Sequence, residues 1–597
     1  MNRLRTFLCR FDRDYLLLFV LILGSLFPLL RSGYLSDDAT NSFTGGYLAL
    51  EHRTLWQHTF YYMNQWIQSI GRFFPLAWYG YAVFVWIGSL FVYKLTILFV
   101  VLLDIFLFTW LLKRLFANDR IVKLFLLLVT VCIQFRNYHD PILSFAFLLP
   151  LVFFYTLVSL LLFDSYLSRP RILTLFGSTF FYAVSLLTYE ITYVFFIFHL
   201  LLLAYRSRER VTRTLLKAWP FIVSAGLAVL LSLWLRQGKE HGSYEMVLSV
   251  PRYLSTFAKQ FLSAFPLSYS LRLLVQAKHR AAFLTNITLS DLLLTFLFFS
   301  LYLKFSAAVA LKTVRQYFFL LILAGALLVL PASIVAISPK VQAELRWGLG
   351  YLPVFIQLFG AALLLVTVVS FLSRGRETGR WNRLPSLGLG LLLSFAVLVT
   401  LQNNRQVVEE TNAAFRYPRE LIGQALQRGL TADIPEQSRL LLNNGSDTPW
   451  DNKYYFFTQY ERAYEVVSLR DRATVPVPAE ASSDHILTYR SVPPSDGYAF
   501  TSPVGADCYR ALDCYSTGPV RLYVQAETDA PFFLTVRARP SASAVSTDIL
   551  ITSDHLRLLQ TGNGWRLYEL AGVEQLDALS ISLTFGSPPA YAGSAGL

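Results

Sequence analysis

The chain has 597 residues, 55% of them hydrophobic and only 15% charged, with a mean hydropathy of +0.47 and a formal net charge of +14. Soluble domains carry about 25% charged residues, so a wholly soluble fold is excluded. Nucleic-acid binding is excluded by where the charge lies: residues 405–597 hold 16 Lys and Arg against 22 Asp and Glu, while the apolar remainder holds 36 against 16.

Eleven apolar runs are expected to span a membrane, near 15–30, 80–112, 121–135, 142–163, 172–189, 191–205, 218–236, 289–305, 317–337, 351–373 and 386–402. The expected fold is a polytopic α-helical membrane protein with a C-terminal β-rich exoplasmic domain. The first run lacks a small-x-small cleavage site and ten more follow it, so it reads as a helix and not as a removable signal. Basic residues gather in alternate loops, as at Arg3, Arg5, Arg10 and Arg13, then Lys113, Arg114 and Arg120, then Arg206, Arg208 and Arg210. Such alternation follows the positive-inside rule. It places the N-terminus in the cytoplasm and, with an odd number of spans, the C-terminal part outside, with a bacterial inner membrane as the expected location.

The loop 31–79 opens with the pair Asp37-Asp38 and continues through Trp56, Phe60, Tyr61, Tyr62 and Trp66. Aromatic rings with polar tips favour the membrane interface, so short interfacial helices are expected there. A second long loop, 236–290, alternates Arg252, Lys259 and Arg272 with Phe257, Phe261 and Phe265. It reads either as interfacial helices or as a surface for an anionic lipid or acidic acceptor. Residues 1–403 are therefore expected to form the transmembrane module, and 404–597 an outer domain with a helical start and a sandwich-like β part. In that domain Cys508 and Cys514 lie six residues apart, where an oxidising compartment allows a disulfide. A zinc pair is the competing reading, with no second Cys or His pair of suitable spacing nearby.

Four polar clusters fall on the expected outer side: Asp37-Asp38, Arg136 to Asp140, Tyr189-Glu190, and Glu344 to Arg346. A carboxylate at the edge of a bilayer is costly to keep and rarely idle. Together these groups suit transfer from a phosphate-activated donor. A carboxylate, Asp38 or Asp37, takes the proton of an attacking hydroxyl. Arg346, Arg136 and His139 receive the charge growing on a departing phosphate. Asp140, Glu190 and Tyr189 are expected to contact the sugar or the acceptor, with orientation of a basic residue as the alternative role for Glu190. On an extended stretch two adjacent carboxylates point to opposite sides, and Asp38 is the preferred base by a small margin. No Gly-rich phosphate loop, metal-ligand spacing or Gly-x-Ser-x-Gly elbow is present, so nucleotide hydrolysis, zinc chemistry and serine hydrolysis lack support.

The arrangement resembles the GT-C class of membrane glycosyltransferases, which includes protein O-mannosyltransferases and the lipid A aminoarabinose transferase. The resemblance rests on Ser36-Asp37-Asp38, the interfacial loop helices, the His139-Asp140 turn, the C-terminal outer domain, and a Gly71-Arg72-x-x-Pro75 stretch. It implies an inverting transfer from a polyprenyl-phosphate-linked sugar to a glycan, lipid or protein acceptor. It implies a metal-independent or weakly metal-dependent reaction with no cofactor expected; the pair is Asp-Asp and not the Asp-x-Asp of oligosaccharyltransferase-like members, so a divalent metal is the disfavoured alternative. Two other readings stand beside it, a lipid-linked glycan ligase or polymerase and a lipid or sugar flippase. Asp104 is the clearest charge inside an apolar run.

Overall fold

The computed structural model describes residues 12–42, 44–45, 48, 52–206, 211–237, 239, 249–275, 285–306, 313–373, 384–430, 440–443, 485–492, 496–503, 520–525, 532–538, 547–552, 556–570 and 580–585. The chain divides into two compact units, Met1–Asp38 with Trp56–Thr411, and Ala39–Leu55 with Asn412–Leu597. In chain order the first helices are α1 (Arg13–Leu26, continued by a 3-10 turn to Arg31), α2 (Asp37–Asn41), α3 (Leu55–Ile70) and α4 (Tyr79–Trp86). Then come α5 (Leu90–Phe116), α6 (Asp119–Cys132), α7 (Leu148–Ser168), α8 (Ile172–Thr188), α9 (Phe196–Arg206) and α10 (Val211–Arg236). The series continues with α11 (Val250–Leu262), α12 (Ser268–Val275), α13 (Leu289–Ser306), α14 (Val314–Val335), α15 (Pro339–Glu344), α16 (Val354–Ser373) and α17 (Leu384–Thr411).

Local chemistry sets the helix ends. Asn118 caps α6 by accepting from the Arg120 and Ile121 N–H groups at 3.0 and 3.4 Å, as an N-cap side chain does for otherwise orphaned donors. Lys113 and Arg114 occupy the last turn of α5, where cations meet the negative end of the helix dipole. Among the described residues, eight helices are long and apolar enough to cross a membrane, where eleven apolar runs were expected. The runs at 121–135, 172–189 and 191–205 correspond to α6, α8 and α9, of 14, 17 and 11 residues. At about 1.5 Å per residue these fall short of a roughly 30 Å hydrocarbon core. The run at 80–112 is also broken, with α4 and α5 separated at Ile87–Ser89.

The core of the helical unit is aromatic. Phe108 of α5 lies 5.0 Å from Phe125 of α6 and 5.2 Å from Phe359 of α16, ring centre to ring centre, and Phe153 of α7 lies 4.7 Å from Phe359. α6 is enclosed almost along its whole length. Elsewhere large apolar side chains point outward, among them Phe99 and Phe106 on α5, Phe296 on α13 and Phe318 on α14. Such a surface suits lipid, because a soluble monomer rarely exposes contiguous apolar patches of this kind. At the start of α1, Lys123 reaches Asp14 at 3.2 Å and Asp119 at 3.3 Å, and Lys304 reaches Asp14 at 2.5 Å. The first span, Arg13–Arg31, separates this ionic tie from Asp37 and Asp38.

α17 continues unbroken past residue 403 to Thr411. In the second unit a π-turn (Asn412–Arg416) leads into α18 (Tyr417–Gln427). The strands are β1 (Leu440–Asn443), β2 (His485–Val492), β3 (Asp496–Pro503), β4 (Val520–Gln525), β5 (Phe532–Ala538), β6 (Thr547–Thr552), β7 (Arg557–Gly562), β8 (Trp565–Leu570) and β9 (Ser580–Phe585). They form a six-stranded sheet of order β1-β2-β3-β4-β8-β7 and a three-stranded sheet of order β6-β5-β9. Arg428, just after α18, lies over Trp565 of β8 at 4.4 Å, fastening the helix end to the larger sheet. Cys508 and Cys514, the expected disulfide, lie outside the described residues.

Candidate active site

After Arg31 the chain runs extended, turns at Ser36 in a left-handed conformation (φ 55°), and starts α2 at Asp37. The two aspartates then part. Asp38 is fully buried. Its Oδ2 accepts a 2.5 Å hydrogen bond from the Tyr93 hydroxyl, and its Oδ1 accepts the Ala146 N–H at 2.8 Å. Burial pushes its acid up to about 7, against the pull of the Lys94 charge, the Tyr93 hydroxyl and the Ala146 amide, while Asp37 adds to the rise. Lys94 is itself buried and donates to the Leu143 carbonyl at 2.7 Å.

Asp37 reaches solvent, yet surrounding protein still raises its acid above the usual range. Lys340 and a hydrogen bond from Ser36 partly offset that rise.

The Ala146 amide is offered to Asp38 by an unusual backbone. Phe145, Ala146 and Phe147 all have positive φ, 65°, 44° and 51°, a region that non-glycine residues enter at a cost of about 1–2 kcal/mol each. Both polar groups of the Ala146 residue are used, since Tyr79 donates its hydroxyl to the Ala146 carbonyl at 2.5 Å. Strain of this sort persists only where surrounding contacts enforce it, and it concentrates at functional sites.

The loop 133–144 leads into this turn. Asp140 is buried, and its oxygens accept the Ile142, Leu143 and Arg136 N–H groups at 2.7, 2.8 and 2.6 Å. It shapes the loop from inside. Arg136, also buried, donates to the Gln134 carbonyl at 2.6 Å and the Ser263 carbonyl at 2.9 Å. Both terminal nitrogens are thereby spent on backbone, so the expected phosphate contact would require this arrangement to change.

His139 packs among Tyr138, Phe145 and Tyr351, with ring centres 3.9, 5.4 and 5.1 Å away. Burial, aided by the Lys340 charge, brings its pKa down to about 3. Its ring is therefore neutral, and the 3.8 Å approach of Nε2 to Glu344 is a contact and not an ion pair. In this state His139 can offer a phosphate a hydrogen bond, one of the two contributions expected of it. Glu344 instead accepts from the Tyr138 hydroxyl at 3.1 Å.

Arg346 lies two residues beyond Glu344, exposed, and beside Arg272 of α12. Burial and the like charge of Arg346 both lower the Arg272 pKa, and among the described residues neither guanidinium pairs with a carboxylate. α12 is tied to the same loop, because the Tyr269 hydroxyl accepts the Asn137 N–H at 3.2 Å. Two arginines without a counter-carboxylate form an anion-receptive pair.

Glu190 stands in a cluster of its own. Arg72 grips it with two hydrogen bonds of 2.8 and 2.5 Å, Arg236 approaches to 3.6 Å, and Arg72 lies 4.8 Å over the Phe74 ring. Burial alone would raise the Glu190 acid, but the charge and hydrogen bonds of Arg72, with Arg236 behind, bring it below the usual range. Tyr189 is an extended, half-buried residue whose carbonyl accepts from the Thr192 hydroxyl at 2.9 Å. Among the described residues no three His, Cys, Asp or Glu side chains gather as metal ligands.

The structure thus links Asp37, Tyr138, His139 and Glu344, sets the arginine pair beside Glu344 in sequence and Tyr269 of α12, and leaves Glu190 with Arg72 and Arg236. No protein-family model matches the chain, and no curated protein matches it in sequence.

Proposed function

We propose that the chain is a membrane glycosyltransferase that moves a sugar from a polyprenyl-phosphate donor to a hydroxyl acceptor at one face of the bilayer. One observation carries this reading: Asp37, an exposed carboxylate with a raised pKa, acts on Tyr138, which donates to Glu344 two residues before Arg346, and among the described residues neither Arg346 nor its neighbour Arg272 pairs with a carboxylate. Asp37 takes the acceptor hydroxyl proton as the oxygen attacks the anomeric carbon. The bond from that carbon to the phosphate oxygen breaks, and its electron pair leaves with the phosphate. The arginine pair receives that charge through planar, bidentate contacts. On this reading Asp38 acts through position, holding Tyr93 and the strained Ala146 turn, so the role of base passes from Asp38 to its neighbour. The outer-face location, the bacterial inner membrane and the sugar-contacting roles of Glu190 and Tyr189 belong to the same proposal.

The test is transfer of labelled sugar from polyprenyl-phosphate donors in membranes holding equal amounts of folded protein. Asp37→Asn is expected to lose about 100-fold or more of the rate, as removal of a general base does. Arg346→Gln is expected to lower the rate without abolishing binding of the acceptor. Full activity in Asp37→Asn would remove this carboxylate from the chemistry. Transport is the second reading, and Asp104 favours it: the residue is buried in the middle of α5 with neither oxygen hydrogen-bonded among the described residues. Ionisable groups inside the membrane often mark transport paths.

A further inference from the structure

α11 is strongly two-sided. Arg252, Ser255, Thr256 and Lys259 recur at the spacing i, i+3, i+4, i+7, which places them on one helical face. Val250, Leu254, Phe257 and Phe261 occupy the other face, with Val250 and Leu254 exposed and Phe257 stacked against Phe261 at 6.1 Å. The polar face turns toward α15. Between the two helices lies a cleft of about 520 Å³, walled by Arg252, Ser255, Thr256 and Lys259 on one side and by Pro339 and Gln342 on the other. No carboxylate among the described residues lines it. Among the described residues, neither the Arg252 guanidinium nor the Lys259 ammonium has a hydrogen-bonding or ionic partner.

We propose that this cleft binds the phosphate of an anionic membrane phospholipid, as a site separate from the Arg272 and Arg346 pair. Two cations with the Ser255 and Thr256 hydroxyls, and no competing carboxylate among the described residues, match a phosphodiester headgroup. A lipid source follows from the other face of α11, which is apolar and exposed, as in a helix lying in the bilayer interface. A headgroup entering beside that face keeps its chains in the hydrocarbon layer while its phosphate meets Arg252 and Lys259. The site bears on the Asp37 cluster because α15 serves both. Gln342 faces the cleft, while Lys340 acts on Asp37 and His139, and Glu344 holds Tyr138. The bound phosphate thereby fixes the helix that carries Lys340 and Glu344.

The experiment is lipid titration of the delipidated full-length protein, read by native mass spectrometry and by thermal shift. Phosphatidylglycerol is expected to add one saturable molecule and to raise the melting temperature. Arg252→Gln with Lys259→Gln is expected to weaken that binding about thirty-fold, at about five-fold per cation near a membrane surface. Arg169→Gln with Arg171→Gln, exposed elsewhere, is expected to leave it unchanged. Arg252→Gln alone, at a surface position, gives the five-fold step if the double variant does not fold. Equal binding by wild type and cleft variants would overturn the site. Stabilisation by inorganic phosphate alone, with nothing added by the lipid, would overturn the lipid assignment. Neither readout requires sugar transfer, so the site and the proposed enzyme activity can fail independently.

Discussion

The Tyr93 hydroxyl, on α5, donates a 2.5 Å hydrogen bond to Asp38, fifty-five residues earlier in the chain and fully buried. This bond favours the ionised carboxylate, yet burial outweighs it and the acid stands at about 7. The consequence for stability has a definite sign. A carboxyl raised above its ordinary value near 3.8 binds more protons folded than unfolded between about pH 4 and 7. Its contribution to stability therefore falls as pH rises through that window and levels off above it. Asp38→Asn removes the titration, so its stability relative to wild type is expected to improve steadily from pH 4 to 7. Thermal melts of the two proteins in one detergent, across that range, check this. A difference that stays flat would refute the raised acid.

Arg72 and Glu190 make a different kind of pair, bidentate and nearly enclosed, with Arg236 as a second cation. Removing one partner of a buried ion pair leaves an uncompensated charge and costs about 3–5 kcal/mol. Because Arg236 remains, Arg72→Ala is expected near the lower end of that range. Arg72→Lys is expected to recover little, since an ammonium cannot reproduce the planar fork. Chemical denaturation of both variants tests the contrast, and near-complete rescue by lysine would show that charge alone matters here.

The Phe145-Ala146-Phe147 turn yields a prediction of opposite sign. Ala146 adopts φ 44°, and its backbone groups, not its side chain, make the contacts to Asp38 and Tyr79. Glycine enters the left-handed region without the steric cost. Ala146→Gly is expected to stabilise the protein by up to about 1 kcal/mol, with both hydrogen bonds kept. Ala146→Val is expected to destabilise it, because β-branching crowds that conformation. A loss of stability with glycine would mean that the turn is held by its methyl group.

Much of the helical unit was legible because long apolar runs leave few alternatives. Leu90–Phe116, closed by Lys113 and Arg114, is one such run. The gathering of Asp37 with the 136–140 turn and Glu344 was also legible, since alternate loops of a helical bundle meet at one end. Several site residues were not. Tyr93 and Lys94 hide in the opening turns of an apolar helix, where composition treats them as noise and only the fold shows that both are buried beside Asp38. The left-handed turn carries no glycine to announce it. The partnership of Arg72 with Glu190 joins positions 118 residues apart. The burial of His139, which holds its pKa down, is likewise visible only in the fold. Apolar runs also do not map one to one onto helices: α9 begins only after a 3-10 turn at Glu190–Val194, which shortens the helix read from 191 onward.

Asp104 separates the transfer and transport readings. It is buried within α5, and neither oxygen has a hydrogen-bond donor among the described residues. A buried polar group without a hydrogen-bond partner costs a fold stability whatever else it serves. If the chemistry lies at Asp37, then Asp104→Leu, close in size and apolar, is expected to raise thermal stability and leave sugar transfer within about two-fold of wild type, the usual outcome for a distant site. If the protein carries a substrate across the bilayer through α5, the same substitution is expected to abolish function while still stabilising the fold. Transfer and lipid-flipping assays on Asp104→Leu and Asp37→Asn, reconstituted side by side, distinguish the two. Loss confined to Asp37→Asn supports an enzyme at the membrane face, and loss confined to Asp104→Leu supports a path through the helices.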